Sequence, residues 1–231
     1  MDRNKSQRIS KVSLVFAAAA FLCMLGAGGA FANTLTLTAG GSATYNDAVH
    51  GNIYVGPYQV SVNSATSVPM MCDDYATEAP VGSSWTASPY TFSQLSQMKF
   101  FGNTSFGNGA TTAAQAYEEV FYLSAQMMLQ TTTTNYAAIS YAIWQILDPK
   151  DNPVNNGPTS AADTWLSAAA ANYKTVNTSD FTVYTPNPLN ASQEFIQVIN
   201  PNNATVPVPP SLLLLGTGLL GVVGLRKRPK K

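Results

Sequence analysis

Residues 112–147 read TAAQAYEEVFYLSAQMMLQTTTTNYAAISYAIWQIL, and the spacing of their apolar residues decides the fold class. Ala116, Val120, Leu123 and Met127 recur at steps of three and four, and Phe121, Tyr122 and Met128 thicken the stripe. That spacing lines one face of a helix with 3.6 residues per turn and predicts a helix over 112–129. The threonine run at 131–134 breaks it. A second stripe, Ile139, Ala142, Ile143 and Ile146, predicts a helix over 136–147. Asp148-Pro149 ends that helix, because a proline pushes the residue before it out of the helical region. So short a connection favours an antiparallel pair. Faces this apolar must pack on something.

Outward from this pair the period falls to two. Thr34–Thr38 alternates and is β-branched, and further strands are expected at 52–55, 58–62, 67–71 and 85–92. Gly56-Pro57 reads as a turn and Pro89 as a break. On the other side, 149–160 reads as an exposed loop. A third helix is expected over 160–173, with Ser160 as its cap and Asp163 in its first turn. Strands return at 181–184 and 194–199, and 200–210 reads as a linker. Strands, then helices, then strands predict an α+β fold: an antiparallel β sheet or barrel with an inserted or packed block of about three helices.

The 231 residues carry a formal net charge of zero, but the charges are sorted. Lysine and arginine crowd both ends. Between them, only Lys99, Lys150 and Lys174 face the eleven acids from Asp47 to Glu194, a balance of −8. Such a middle cannot neutralise phosphates, so nucleic acid is not an expected partner. Basic ends are where membrane topology is read.

Residues 1–32 have the parts of a secretory signal: a basic stretch to Lys11, an apolar run over 12–25, and a small-residue site, Ala30-Phe31-Ala32. Cleavage by signal peptidase, after transport by the secretion machinery, would leave Asn33 first. At the other end, Val206-Pro207-Val208-Pro209-Pro210-Ser211 precedes a leucine- and glycine-rich run over 212–225 and the basic cluster Arg226-Lys227-Arg228. Fourteen residues make a helix of about 21 Å, short for a hydrocarbon core of about 30 Å. The cluster would hold its end in the cytoplasm, with everything upstream outside.

This tail resembles the PEP-CTERM sorting signal in its proline motif, its short span and its basic end, all in order over 206–231. The resemblance implies processing by an exosortase-like enzyme at the membrane of a bacterium that makes extracellular polysaccharide. The acidic position of that motif is Val208 here, and Pro210 is an additional proline. The expected organisation is a signal peptide (1–32) and an extracellular α+β domain (33–205), then a sorting and membrane-anchoring tail (206–231). A signal helix and a short C-terminal transmembrane helix complete the expectation.

Within the mature span Cys72 is unpaired, which is unusual in an exported protein. It reads either as a small buried hydrophobe, as one half of an intermolecular disulfide, or as a reactive thiol. Cys72, Pro80 and the later Ala142-Ile143-Trp144 resemble the thioester domains of bacterial surface adhesins, in which a cysteine bonds to a glutamine side chain. The position of that glutamine is Ser140 here, so the resemblance implies kinship of fold without the bond. Asp73, Asp74 and Glu78 read as a solvated turn rather than a calcium site, since no metal-binding loop pattern surrounds them. Glu118-Glu119 is explained by the dipole of a helix start, and Asp148 by a helix end. His50, the lone histidine, sits in a turn-like stretch. No nucleophile elbow, zinc-binding helix or phosphate loop is present. Trp85, Trp144 and Trp165 read as core before they read as sugar-stacking surfaces.

No catalytic residue, metal or cofactor is therefore expected. The expected function is a non-enzymatic structural or interaction role at the cell surface or in the extracellular matrix, with extracellular polysaccharide as a candidate partner. The alternatives are an adhesin of thioester-domain ancestry using Cys72 and, behind it, a polysaccharide-active hydrolase.

Overall fold

The computed structural model describes residues 32–200. The signal sequence with Ala30, the sorting motif, the C-terminal apolar span and the basic cluster lie outside the described residues. Among those described, no helix is long and apolar enough to cross a membrane.

Six strands close into an antiparallel barrel in the order β1-β2-β3-β6-β5-β4. They are β1 (Asn33–Asp47), β2 (Gly51–Val62), β3 (Val68–Cys72), β4 (Ser84–Tyr90), β5 (Phe181–Pro186) and β6 (Phe195–Val198). Three long helices are inserted between β4 and β5: α1 (Ala113–Met127), α2 (Thr133–Leu147) and α3 (Thr159–Asn172). The fold is α+β, and the alternative of sheet or barrel resolves to a barrel.

Two cores explain the sequence pattern. Every strand contributes to the first: Leu35, Leu37, Tyr58, Val60, Met70, Cys72, Trp85, Ala87, Tyr184 and Phe195 fill the barrel. The second lies between barrel and helices. There Met71, Phe181, Val183, Ile196 and Val198 meet the faces of α1 and α2. β3, β5 and β6 are buried on both sides, so residues of alternating parity serve different cores. This is why 70–72 reads Met-Met-Cys without a polar partner.

α1 lies within the stretch its periodicity predicts; α2 begins three residues earlier than expected, at Thr133 inside the threonine run, and each is capped by a threonine. Thr112 Oγ1 accepts from Gln115 N at 3.2 Å, and Thr132 Oγ1 accepts from Asn135 N at 3.3 Å. Phe121 stacks on Phe181 with ring centroids 4.5 Å apart, tying α1 to β5.

Other local expectations change. Pro89 breaks no strand: β4 runs through it to Tyr90, and it pairs with Tyr184 of β5. Gly56-Pro57 is no turn: β2 runs through it unbroken. Gly56 has φ +87°, and a Cβ there would lie 2.9 Å from the Tyr136 ring of α2. The dipeptide bends the strand where a helix presses against it. Ser160 caps nothing: α3 starts at Thr159, behind Pro158, and Asp163 lies beyond the first turn. Residues 149–160 contain a helical turn, Pro153–Asn156, rather than only loop. Glu119 does not serve a helix dipole, since α1 begins six residues earlier. It is buried and accepts from Asn108 Nδ2 at 2.7 Å and Gln115 Nε2 at 2.9 Å.

Candidate functional site

Cys72 ends β3 inside the barrel and is only 3% exposed. Its S–H donates to the Asp74 carbonyl at 3.3 Å, and Trp144 Nε1 donates to the Cys72 carbonyl at 3.0 Å. Burial, reinforced by Asp74 and Asp73, pushes the thiol well above its ordinary pKa. A thiolate, the reactive form, is disfavoured there. Ser140 is committed elsewhere: its Oγ accepts from Gly56 N at 3.0 Å. Gln145 Oε1 accepts from Val154 N at 3.3 Å.

Just past Cys72 lies a sealed polar cluster. Glu194, 0% exposed, accepts from Tyr117 OH at 2.6 Å, from Lys99 N at 2.9 Å and from the Thr185 hydroxyl. Asp73 is equally buried, and no amide, hydroxyl or ammonium donates to its carboxyl oxygens. Burial first, then the charge of Glu194, raises Asp73 well above the carboxylate range. Burial raises Glu194 as well, against the pull of its donors. Asp74 pairs with Lys99, whose ammonium also donates to Thr77 Oγ1 at 3.1 Å and the Ser192 carbonyl at 3.3 Å. The expected solvated turn at 73–74 is therefore a buried junction of five segments, and only Glu78 of that acidic group is exposed. Among the described residues no group of three or more His, Cys, Asp or Glu side chains is placed to hold a metal ion.

A second carboxylate, Asp47, locks the β1–β2 hairpin to the helices. It accepts from Tyr75 OH at 2.8 Å, Val49 N at 2.8 Å, His50 N at 2.7 Å and the Tyr141 hydroxyl. Burial opposes its charge, but these donors together hold its pKa below the usual value. Asp148, at the end of α2, goes the other way. Burial and the nearby Asp151 push it up to about 6.

Between these two nodes opens a cleft of about 270 Å³. Its floor is Tyr58, Tyr75 and Trp144, with Asp74 beside them; His50, Asn52, Tyr54, Glu78, Pro80 and Gln193 line the rest. The floor is polar in composition yet offers few free polar atoms. Tyr58 OH donates to the Tyr54 carbonyl at 2.6 Å, Tyr75 OH serves Asp47, and Trp144 Nε1 serves Cys72. Free hydrogen-bonding groups come from the rim. Tyr54 is 46% exposed, and Asn52, two residues before it on β2, shares its face.

The residues singled out in the sequence thus meet only in part. Cys72, Asp73, Asp74 and Trp144 come together, and His50 stacks edge-on against Tyr75 with centroids 4.8 Å apart. Glu118 sits apart on α1. Glu194, Lys99, Tyr117, Thr185 and Asp47 carry no local signal, because their bonds span up to 95 residues. Tyr54 and Asn52 could have been found: alternation along β2 puts both on one face.

No known protein family matches the chain, and no curated protein matches it. Among solved structures, the N-terminal thioester domain of fibronectin-binding protein SfbI from Streptococcus pyogenes is similar at 9% sequence identity, over 71% of this chain and 91% of that one, with a TM-score of 0.42.

Proposed function

We propose that this chain is an exported, non-enzymatic protein of the cell surface or extracellular matrix, whose barrel presents an open cleft to a ligand. The observation that carries the reading is the contrast between sealed acids and open cleft. Asp73 and Glu194 have no access to solvent. The cleft, which is accessible, holds rings, amides and carboxylates but no activated nucleophile among the described residues. A hydrolase needs its two acids on either side of a substrate. Asp73 and Glu194 are sealed in the interior, and of the two carboxylates that line the cleft, Asp74 is paired with Lys99 and comes from the same short segment as Glu78.

Delivery is assigned to the two ends of the sequence. Signal peptidase would release Asn33, and the tail at 206–231 would hand the chain to an exosortase-like enzyme or retain it in the membrane. The adhesin reading needs Cys72 as a reactive group. Its burial, its raised pKa and the use of Ser140 by Gly56 weigh against that. Fractionation of cells producing the full chain and a chain lacking 206–231 tests the assignment. The full chain should be retained at the envelope or processed there, and the shortened one should lose that retention. Equal distribution of both would remove the role given to the tail.

A further inference from the structure

We infer that the cleft beside Tyr54 is a binding site for a neutral saccharide; this rests on the reading of the chain as a non-enzymatic ligand-binding domain and names its ligand class. Three features carry the inference. First, Tyr54 is a platform and not merely an exposed ring. An ideal Cβ on Gly40 would lie 2.5 Å from Cδ1 and Cε1 of Tyr54 and 2.6 Å from Cγ, so the ring packs closely on a backbone that only glycine leaves bare. Its main chain is fixed as well, by the hydroxyl of Tyr58 on its carbonyl at 2.6 Å. A large aromatic surface held in place, yet 46% exposed, offers contact area at low entropic cost.

Second, the hydrogen-bonding groups around it suit hydroxyls. Asn52 and Gln193 each bring an amide that donates and accepts, Glu78 accepts, and His50 does both when neutral. Only Gln193 among these side chains has a protein partner, a donation to the Asp74 carbonyl at 3.4 Å, and its Oε1 is left free to accept. A sugar ring has apolar C–H faces for the tyrosine and an edge of hydroxyls for such groups.

Third, the other ligand classes fit poorly. Among the described residues no lysine or arginine lines the cleft, and Asp74 and Glu78 do, so phosphates and acidic sugars meet repulsion. A peptide added as a strand needs a free sheet edge, and along β2 beside the cleft the Tyr54 carbonyl and the Gly56 N–H are already taken by Tyr58 and Ser140. A quaternary ammonium needs several ring faces around it. Tyr58, Tyr75 and Trp144 are each less than a tenth exposed, so among the described rings of the cleft only Tyr54 and the smaller His50 imidazole present open surface. At about 270 Å³ the cleft suits one or two sugar units of a chain passing over it.

Affinity electrophoresis of the full chain, in a zwitterionic detergent without a sugar headgroup, tests this. The gels contain dextran, laminarin, galactomannan or, as the acidic control, alginate. At least one neutral glycan should retard the protein and alginate should not. Tyr54→Ala and Asn52→Ala should each raise the apparent Kd tenfold or more, while Tyr54→Phe keeps the ring and the binding. Retardation by none of the neutral glycans, by alginate alone, or equally in wild type, Tyr54→Ala and Asn52→Ala would overturn the assignment. Absence of binding by a chain found at the cell surface would remove the saccharide and leave the surface role. Binding accompanied by new reducing ends would keep the saccharide and remove the non-enzymatic reading.

Discussion

Asp148 illustrates how one buried carboxyl sets a pH dependence. Its folded pKa of about 6 lies above the ordinary 3.8, so between those values the folded chain holds a proton that the unfolded chain has released. Its contribution is full below pH 3.8 and is lost as pH rises through 6. Asp73 and Glu194 move in the same direction. Asp47 moves in the opposite one, and its contribution is lost only as pH falls below the ordinary carboxylate range. Thermal melts should therefore show stability declining as pH rises from about 4 through 6. Asp148→Asn should remove the part that falls between pH 3.8 and about 6, worth about 2–3 kcal/mol, because a tenfold change in proton affinity corresponds to about 1.4 kcal/mol. Cys72 provides a second test on a single side chain. A buried thiol with a raised pKa should resist an alkylating or disulfide reagent at pH 8 in the folded chain and react once the chain is denatured. Full labelling under native conditions would revive a reactive role.

Among the elements, β2 shows what the sequence can and cannot tell. The strand character of 52–55 and 58–62 is legible from alternation. Their continuity is not, because it depends on α2 lying close enough to bend the chain at Gly56. Ser140 takes up the Gly56 N–H that this bend would otherwise leave unpaired. Ser140→Ala should cost about 1–3 kcal/mol in chemical denaturation, the penalty for a buried donor without a partner. Asp47 holds the far end of the same hairpin to α2 through Tyr141 and to the segment after β3 through Tyr75. Asp47→Ala strands four donors at once and should destabilise by more than Ser140→Ala. The helices are legible for a different reason: α1 and α2 have one apolar stripe each, serving one core. β3, β5 and β6 serve two cores, so their alternation is hidden in a continuous apolar run. The acid cluster is illegible because its members lie on five separate segments and meet only after the barrel closes.

In the described domain as a whole, a closed barrel carries an inserted helical block and a cleft. Closure of the barrel pairs the edges of β1 over 33–36 and of β2 over 58–60, and the outer half of the β1–β2 hairpin extends beyond these pairings. The acidic middle, with a balance of −8, favours solubility. All of the proposed function depends on this domain working beyond the inner membrane. N-terminal sequencing and intact-mass measurement of the protein recovered from the envelope and extracellular fractions decide the point. The recovered chain should start at Asn33; a chain recovered from the cytosol with Met1 still in place would refute its export.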